Sequence, residues 1–319
     1  MKTKKALITG ITGFAGSHLA ELLLKEGYDV FATTRPRSKT EHIDHILDQL
    51  KLYDADLIDS HSLSTVLSDV KPDYIFHLGA QAFVPTSWSS PATTMESNVI
   101  GTIHLFEAVR RVEINPVIQI ACSSEEYGLV QKHETPITEQ NELRPLSTYA
   151  VSKIAMDFLG YQYFKSYGMK IIRTRGFNHT GPRQGDVYVC STFAKQVALI
   201  EVGKKKPVIE VGNLESFRDF TDVRDMVRAY LLAVQQCEPG DVYNIASGRA
   251  WQIKEVLHML IKMSKKQITV AQDEKRMRPS DVELLLGDST KFRNKTGWKP
   301  EIPFEKTLED LLQYWRERV

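Results

Sequence analysis

A glycine-rich stretch, Thr9-Gly10-Ile11-Thr12-Gly13-Phe14-Ala15-Gly16, follows directly on the apolar run Ala6-Leu7-Ile8 and opens an amphipathic segment. The order strand, glycine turn, helix leaves few folds open. Glycines let the backbone turn tightly and approach a pyrophosphate, and the N-terminus of the following helix stabilises that anion. Similar apolar runs recur between helical patterns: Asp29-Val30-Phe31-Ala32, Tyr74-Ile75-Phe76-His77-Leu78, Val117-Ile118-Gln119-Ile120-Ala121 and Lys170-Ile171-Ile172-Arg173-Thr174. Continuous apolar strands separated by helices predict a parallel sheet covered on both faces. The expected fold class is therefore α/β, a doubly wound Rossmann-type sheet whose ligands sit at the carboxyl ends of the strands. Gly10, Thr12, Gly13, Phe14, Ala15 and Gly16 are the expected contacts of a dinucleotide.

After about residue 176 the elements shorten and Gly and Pro become more frequent. Residues 1–176 are read as the dinucleotide-binding domain, and 219–247, which look like helix then strand, as a return to its sheet. The segments 177–218 and 248–319 are read as a smaller, interwoven substrate lobe. Lys plus Arg total 41 against 40 Asp plus Glu, so no global charge draws the chain to nucleic acid or to a membrane surface. No apolar run approaches the roughly 18 residues needed to span a bilayer. The N-terminus shows no secretory cleavage pattern. Cys122, Cys190 and Cys237 are odd in number and widely spaced, which fits neither a disulfide framework nor a metal site. A cytoplasmic protein without a metal is the expectation.

At the end of the second strand the chain reads Thr33-Thr34-Arg35-Pro36-Arg37. An acid there would bind a ribose hydroxyl, whereas an Arg accommodates a 2′-phosphate, so Arg35 points to NADP, with NAD as the alternative. Asp56 and Leu57 follow the third strand and face the adenine edge; Leu78, Gly79 and Ala80 end the fourth, where small residues let a cofactor pass. Tyr149-Ala150-Val151-Ser152-Lys153 sets a phenol and an ammonium one helical turn apart. A nearby cation lowers a phenol's pKa, which suits Tyr149 and Lys153 to exchanging a proton with a sugar hydroxyl beside a nicotinamide. Tyr161 and Lys165 repeat the spacing. Tyr149, however, stands at the helix start, just after the capping candidates Ser147 and Thr148, while Tyr161 lies about three turns deeper.

The GxxGxxG spacing resembles that of the extended short-chain dehydrogenases/reductases. In that family the catalytic Ser or Thr stands four residues before a Tyr-Gly pair. In Cys122-Ser123-Ser124-Glu125-Glu126-Tyr127-Gly128 this selects Ser123. The same resemblance gives Glu125 the place of the catalytic Glu of nucleotide-sugar 4,6-dehydratases. Phe177-Asn178-His179-Thr180-Gly181-Pro182-Arg183, Val211-Gly212-Asn213-Leu214, Arg218-Asp219-Phe220-Thr221-Asp222-Val223, Arg278-Pro279-Ser280-Asp281-Val282-Glu283 and Thr296-Gly297-Trp298-Lys299-Pro300 extend the likeness. They are similar to segments of GDP-mannose 4,6-dehydratases and of the related GDP-4-keto-6-deoxymannose reductases. The resemblance implies that Asn178, Lys195, Arg218 and Arg278 meet a sugar-nucleotide diphosphate, with Glu283 near a ribose. Ser123 and the short Thr34–Lys39 segment look more like the reductase branch. That short segment also implies a homodimer rather than a tetramer, built from helices around Thr93–Arg111 and Tyr149–Tyr167.

The leading reading is a 4,6-dehydratase that forms a 4-keto-6-deoxyhexose nucleotide. The alternatives are a reductase of the keto sugar, which has no chemical need of Glu125, a related epimerase, and a non-catalytic NADP sensor.

Overall fold

The computed structural model describes residues 3–273 and 282–319. Arg278, an expected substrate contact, lies outside the described residues. The first half runs β1 (Lys5–Thr9), α1 (Phe14–Lys25), β2 (Asp29–Thr34), β3 (Lys51–Asp54), α2 (Ser60–Val70), β4 (Tyr74–His77), α3 (Val84–Ser89), α4 (Pro91–Met95), α5 (Gly101–Arg111), β5 (Val117–Ser123), α6 (Thr148–Tyr167) and β6 (Lys170–Gly176). A π turn, Glu96–Ile100, joins α4 to α5. The second half runs β7 (Asn178–Thr180), α7 (Val189–Glu201), β8 (Val208–Val211), β9 (Phe217–Asp222), α8 (Val223–Gln236), β10 (Val242–Ile245) and β11 (Ala250–Gln252). It ends with α9 (Ile253–Lys262), β12 (Thr269–Gln272), β13 (Leu284–Leu285), α10 (Thr290–Thr296) and α11 (Phe304–Arg316).

Seven parallel strands form one sheet in the order β10-β6-β5-β4-β1-β2-β3. The doubly wound architecture expected from the apolar runs is present. Alternation along β1 explains its two covered faces: Ala6 and Ile8 turn to one side, Leu7 to the other. The first face packs on α1, α8 and α10 through Leu19, Leu23, Met226, Tyr230 and Phe292. The second packs on α2, α5 and α6 through Leu63, Leu67, Leu105, Val109 and Met156. Burying each such side chain contributes about 1.5–3 kcal/mol. Strand order reverses between β1 and β4, and the crevice at that switch point is where such folds seat ligands.

Beyond β6 the chain leaves the sheet and comes back. β10 pairs with β6, and α8 packs on α1. A third core, with Phe193 and Val197 of α7, Val256 and Leu260 of α9, and Leu308 and Leu311 of α11, closes the remaining part. Its small sheet orders β11-β9-β13, with β7 also on β9, and β12 pairs with β8. Among the described residues no helix is long and apolar enough to cross a membrane. Cys122, Cys190 and Cys237 are free and buried.

Candidate active site

The glycine turn is shaped by close approach. Gly10 has φ +79°, and a Cβ there would lie 2.8 Å from the Gly79 backbone, so the loops after β1 and β4 touch only because both residues lack side chains. Gly13 caps α1 with extended backbone and no side-chain hydrogen bond, and the first turn carries no acid. The first N–H groups of α1 therefore point, without a side-chain partner, into the switch-point crevice. Phe14 stacks on His179 at 5.8 Å, Ala15 is half-buried, and Gly16 sits under the turn where any Cβ would collide with Gly10. Thr12 accepts a hydrogen bond from His42 through its carbonyl (3.3 Å). Arg35 is exposed just past β2 and makes no ion pair among the described residues. Asp56 caps its own turn, accepting from the Ile58 N–H (3.3 Å). Leu57 packs against the positions of Gly79 and Gly101, while Leu78 and Ala80 flank Gly79 on the half-buried wall. A cradle that added methyls would fill, an uncapped helix N-terminus and the exposed Arg35 at the rim fit a phosphorylated dinucleotide.

Behind this cradle lies a buried polar chain. Thr102 Oγ1 donates to the Asn98 carbonyl (2.6 Å), so it must accept from His77 Nε2 (3.0 Å). His77 Nδ1 then accepts from Thr9 Oγ1 (2.9 Å), which itself accepts the Gly79 N–H (3.0 Å). A hydroxyl carries one proton, so His77 is fixed as the neutral Nε2–H tautomer. Burial pushes its pKa down to about 3. The Asn98 amide donates to Gln81 O and Ser152 Oγ, and Ser152 donates to Tyr149 O. One network thus ties the glycine loop to the start of α6.

Ser147 caps α6 by accepting the Ala150 N–H (3.1 Å), and Gly168 ends the helix with φ +68°. Tyr149 consequently stands in the first turn, buried, beside the end of β5. Ser123 ends β5 with extended backbone, and its hydroxyl lies near enough to the Tyr149 phenol to oppose the strong upward push of burial on that phenol's pKa. Lys153 is buried one turn on; its Nζ lies 5.8 Å from the Tyr149 ring centroid and donates to the Ala121 carbonyl (2.7 Å). Burial lowers the Lys153 pKa. The sequence assigns Lys153 the task of lowering the phenol's pKa; in this structure the opposing influence comes from the Ser123 hydroxyl. Tyr161 stands on the outer side of α6, 43% exposed.

The adjacent carboxylates face opposite ways. Glu125 is half-exposed, and its charge acts on Tyr149. Glu126 is fully buried, accepts the Ser123 N–H (2.8 Å) and meets Arg175 Nε at 3.1 Å. Cys122, Glu126 and Asp157 bring potential metal-ligand atoms within 4.8 Å, but Arg175 Nε is already paired with both carboxylates.

At the substrate end, the Asn178 amide nitrogen is buried with no hydrogen-bond partner. Arg218 is anchored on the carbonyls of Phe217 (2.8 Å) and Val282 (2.7 Å). Those two anchors, Phe217 and Val282, line a cleft of about 390 Å³ together with Asn213, Ser216, Gln252 and Glu283. Lys195 pairs with Asp186 (2.6 Å) and lies over the Trp315 ring, and exposed Glu283 pairs with Lys132 (3.0 Å). Sequence reasoning missed His77, Asn98, Glu126 and Tyr188. Tyr188 packs edge-on against Phe83, in the neighbourhood of Tyr149. A histidine within an otherwise apolar strand end was the one available signal among them.

Sheet order, glycine cradle and the Ser123–Tyr149–Lys153 grouping define an extended short-chain dehydrogenase/reductase. The family model described as GDP-mannose 4,6 dehydratase matches residues 7–311, and the chain belongs to that family. It is 32% identical over 317 residues to the GDP-6-deoxy-D-mannose reductase of Pseudomonas aeruginosa, spanning 99% of each chain. It is 34% identical over 349 aligned residues to a GDP-mannose 4,6-dehydratase of Vibrio cholerae, spanning 97% of this chain and 93% of that one. Among solved structures, RMD from Pseudomonas aeruginosa complexed with NADPH superposes with a TM-score of 0.88 at 31% identity, covering 99% of this chain and all of that one. UDP-glucose 4-epimerase of Thermus thermophilus in complex with NAD gives 0.87 at 28% identity, with the same coverage.

Proposed function

We propose that the chain is an NADP-dependent 4,6-dehydratase of a GDP-hexose such as GDP-mannose. The observation that carries this reading is the half-exposed Glu125, set two residues beyond Ser123 and electrostatically coupled to Tyr149. A carboxylate there serves elimination; simple reduction has no use for it.

Gly10, Thr12, Gly13, Phe14, Ala15, Gly16, Asp56, Leu57, Leu78, Gly79 and Ala80 would hold the dinucleotide, with Arg35 at its 2′-phosphate and Tyr149 and Lys153 at its nicotinamide end. When bound, the dinucleotide would supply the hydride acceptor for carbon 4 and the hydride donor for carbon 6. Tyr149 accepts the proton of the 4-hydroxyl, and Ser123 hydrogen-bonds the same oxygen as it becomes a ketone. Lys153 places positive charge beneath the phenol and favours its ionised form when substrate displaces water. The ketone acidifies carbon 5, Glu125 removes that proton and passes it to the carbon 6 hydroxyl, which leaves as water; carbon 5 then takes a proton from solvent as carbon 6 receives hydride, and the Tyr149 phenol returns its proton to solvent. Asn178, Lys195, Arg218 and Arg278 would hold the diphosphate, and Glu283 the ribose. The orphaned amide of Asn178 supports this use.

The division of labour follows: 1–176 with 219–247 as the cofactor unit, 177–218 with 248–319 as the substrate lobe. A cytoplasmic homodimer completes the reading, supported by free buried cysteines and by Val151, Phe158 and Tyr161 exposed along α6.

The test is Glu125→Gln, which keeps the side chain's shape and removes its basicity. The variant should still reduce bound NADP⁺ once with GDP-mannose, yet exchange no deuterium into carbon 5 and release no dehydrated sugar. The second reading, a reductase of the 4-keto-6-deoxy sugar, is favoured by the matched length and full coverage of the Pseudomonas aeruginosa reductase. In that case Glu125→Gln would consume NADPH with the keto sugar nearly as fast as wild type, and wild type would dehydrate no GDP-hexose.

A further inference from the structure

We propose that Glu126 is a positioning residue: its buried carboxylate takes the Ser123 backbone N–H and so holds the Ser123 hydroxyl against the Tyr149 phenol. The inference rests on the reading above of Ser123 and Tyr149 as reacting groups. Ser123 and Glu126 form a reciprocal cap, in which Ser123 Oγ accepts the Glu125 N–H (3.2 Å) and Glu126 Oε1 accepts the Ser123 N–H (2.8 Å). This holds Ser123 at φ −148°, ψ 145°, with its hydroxyl in the neighbourhood of the Tyr149 phenol on α6.

The other end of Glu126 is ion-paired without a hydrogen bond of its own. Oε2 faces Arg175 Nε at 3.1 Å, and the same nitrogen donates to Asp157 Oδ2 at 2.9 Å. Asp157 lies on α6 one turn beyond Lys153, so the carboxylate links the Ser123 turn to the helix that carries Tyr149 and Lys153. Arg175 in turn donates to Tyr127 Oη (3.1 Å), and Arg173 holds the second Asp157 oxygen (2.5 Å). The reciprocal cap serves the turn, and the carboxylate adds to it a link to Arg175 that the cap itself does not require. Burying a carboxylate is costly even when it is paired, and an apolar side chain of similar volume would avoid the cost. Burial and the nearby Asp157 push the Glu126 pKa up, while Arg175, the Ser123 N–H and Lys153 pull it back.

Two substitutions separate charge from reach. Glu126→Gln keeps an oxygen for the Ser123 N–H and loses the charge. Glu126→Asp keeps the charge but is one methylene too short to make that bond. Each full-length variant is checked for fold by circular dichroism and for NADPH affinity. Hydride transfer between the bound cofactor and either GDP-mannose or the keto sugar is then followed by absorbance. Glu126→Asp should lose at least tenfold in kcat with KM and NADPH affinity within twofold of wild type, and Glu126→Gln should recover most of that loss. Outright removal of an oxyanion donor costs about 10²–10³, which bounds the effect. Should Glu126→Asp fail to fold, Glu126→Leu takes its place with the same expectation. Equal kcat in the two variants, or a loss shared equally with KM, overturns the proposal and leaves the function standing. Wild-type protein that moves no hydride with either sugar overturns both.

Discussion

Lowering the pH from 7 to 4.5 should remove about 2.7 kcal/mol of folding stability through His77 alone. The residue is wholly buried between Thr9 and Thr102, and its pKa falls from the ordinary 6.5 to about 3. In the unfolded chain the imidazole binds a proton below 6.5; in the fold it stays neutral until about 3. The stabilisation is therefore complete above 6.5 and is lost steadily as pH falls toward 3. At 4.5 the unfolded state is two units below its midpoint, and each unit is worth about 1.36 kcal/mol. His77→Gln retains one donor and one acceptor but cannot titrate. Urea unfolding of both proteins at pH 7 and 4.5, followed by tryptophan fluorescence, gives four free energies. The drop with pH should be smaller in His77→Gln by about 2.7 kcal/mol, whatever fixed penalty the substitution carries. His18, which burial holds at about 4, contributes to both proteins and cancels. The same drop in both proteins would refute the argument and show that His77 is already protonated in the fold.

Two shorter predictions follow from the site. Tyr149→Phe should lower the hydride-transfer rate by about 10²–10⁴ in stopped-flow absorbance while leaving cofactor affinity intact, whereas Tyr161→Phe, on the outer side of α6, should change it less than twofold. A larger loss at Tyr161 would assign the chemistry to the wrong tyrosine. Wild type should bind NADP more tightly than NAD by calorimetry, and Arg35→Asp should reverse the order; a tenfold preference of wild type for NAD would sink that reading.

The parts legible in the sequence are those set by local rules. β1 and the Gly10–Gly16 turn are written in neighbouring residues, and Tyr149 is placed by the cap at Ser147 just before it. Two-faced apolar runs gave the parallel sheet because each strand must cover both sides. The hidden parts depend on orientation. Glu125 and Glu126 are adjacent in a turn too short to show any periodicity, so only the partners Arg175 and Ser123 reveal which faces inward. Asn98 is brought to Ser152 by a π turn, whose period no apolar pattern marks. Tyr188 reaches Phe83 and the neighbourhood of Tyr149 only through tertiary folding. Isolated cations mislead for a related reason: Lys195 and Arg218 carry phosphate-binding chemistry, yet each is also anchored within the protein, Lys195 by a carboxylate and Arg218 by carbonyls.

The π turn at Glu96–Ile100 gives chain length itself a meaning. A π turn accommodates one residue more than the α-helix on either side of it. Removing a single residue there would restore a regular helix with its flanks still in phase, and only the widened turn itself would be lost. Asn98, which lies in that turn, would be re-aimed away from Ser152, although it had not been altered. A one-residue gap in this helix would thus mark a relative that had lost the inner support of its cofactor cradle, even one that kept every residue touching the ligand.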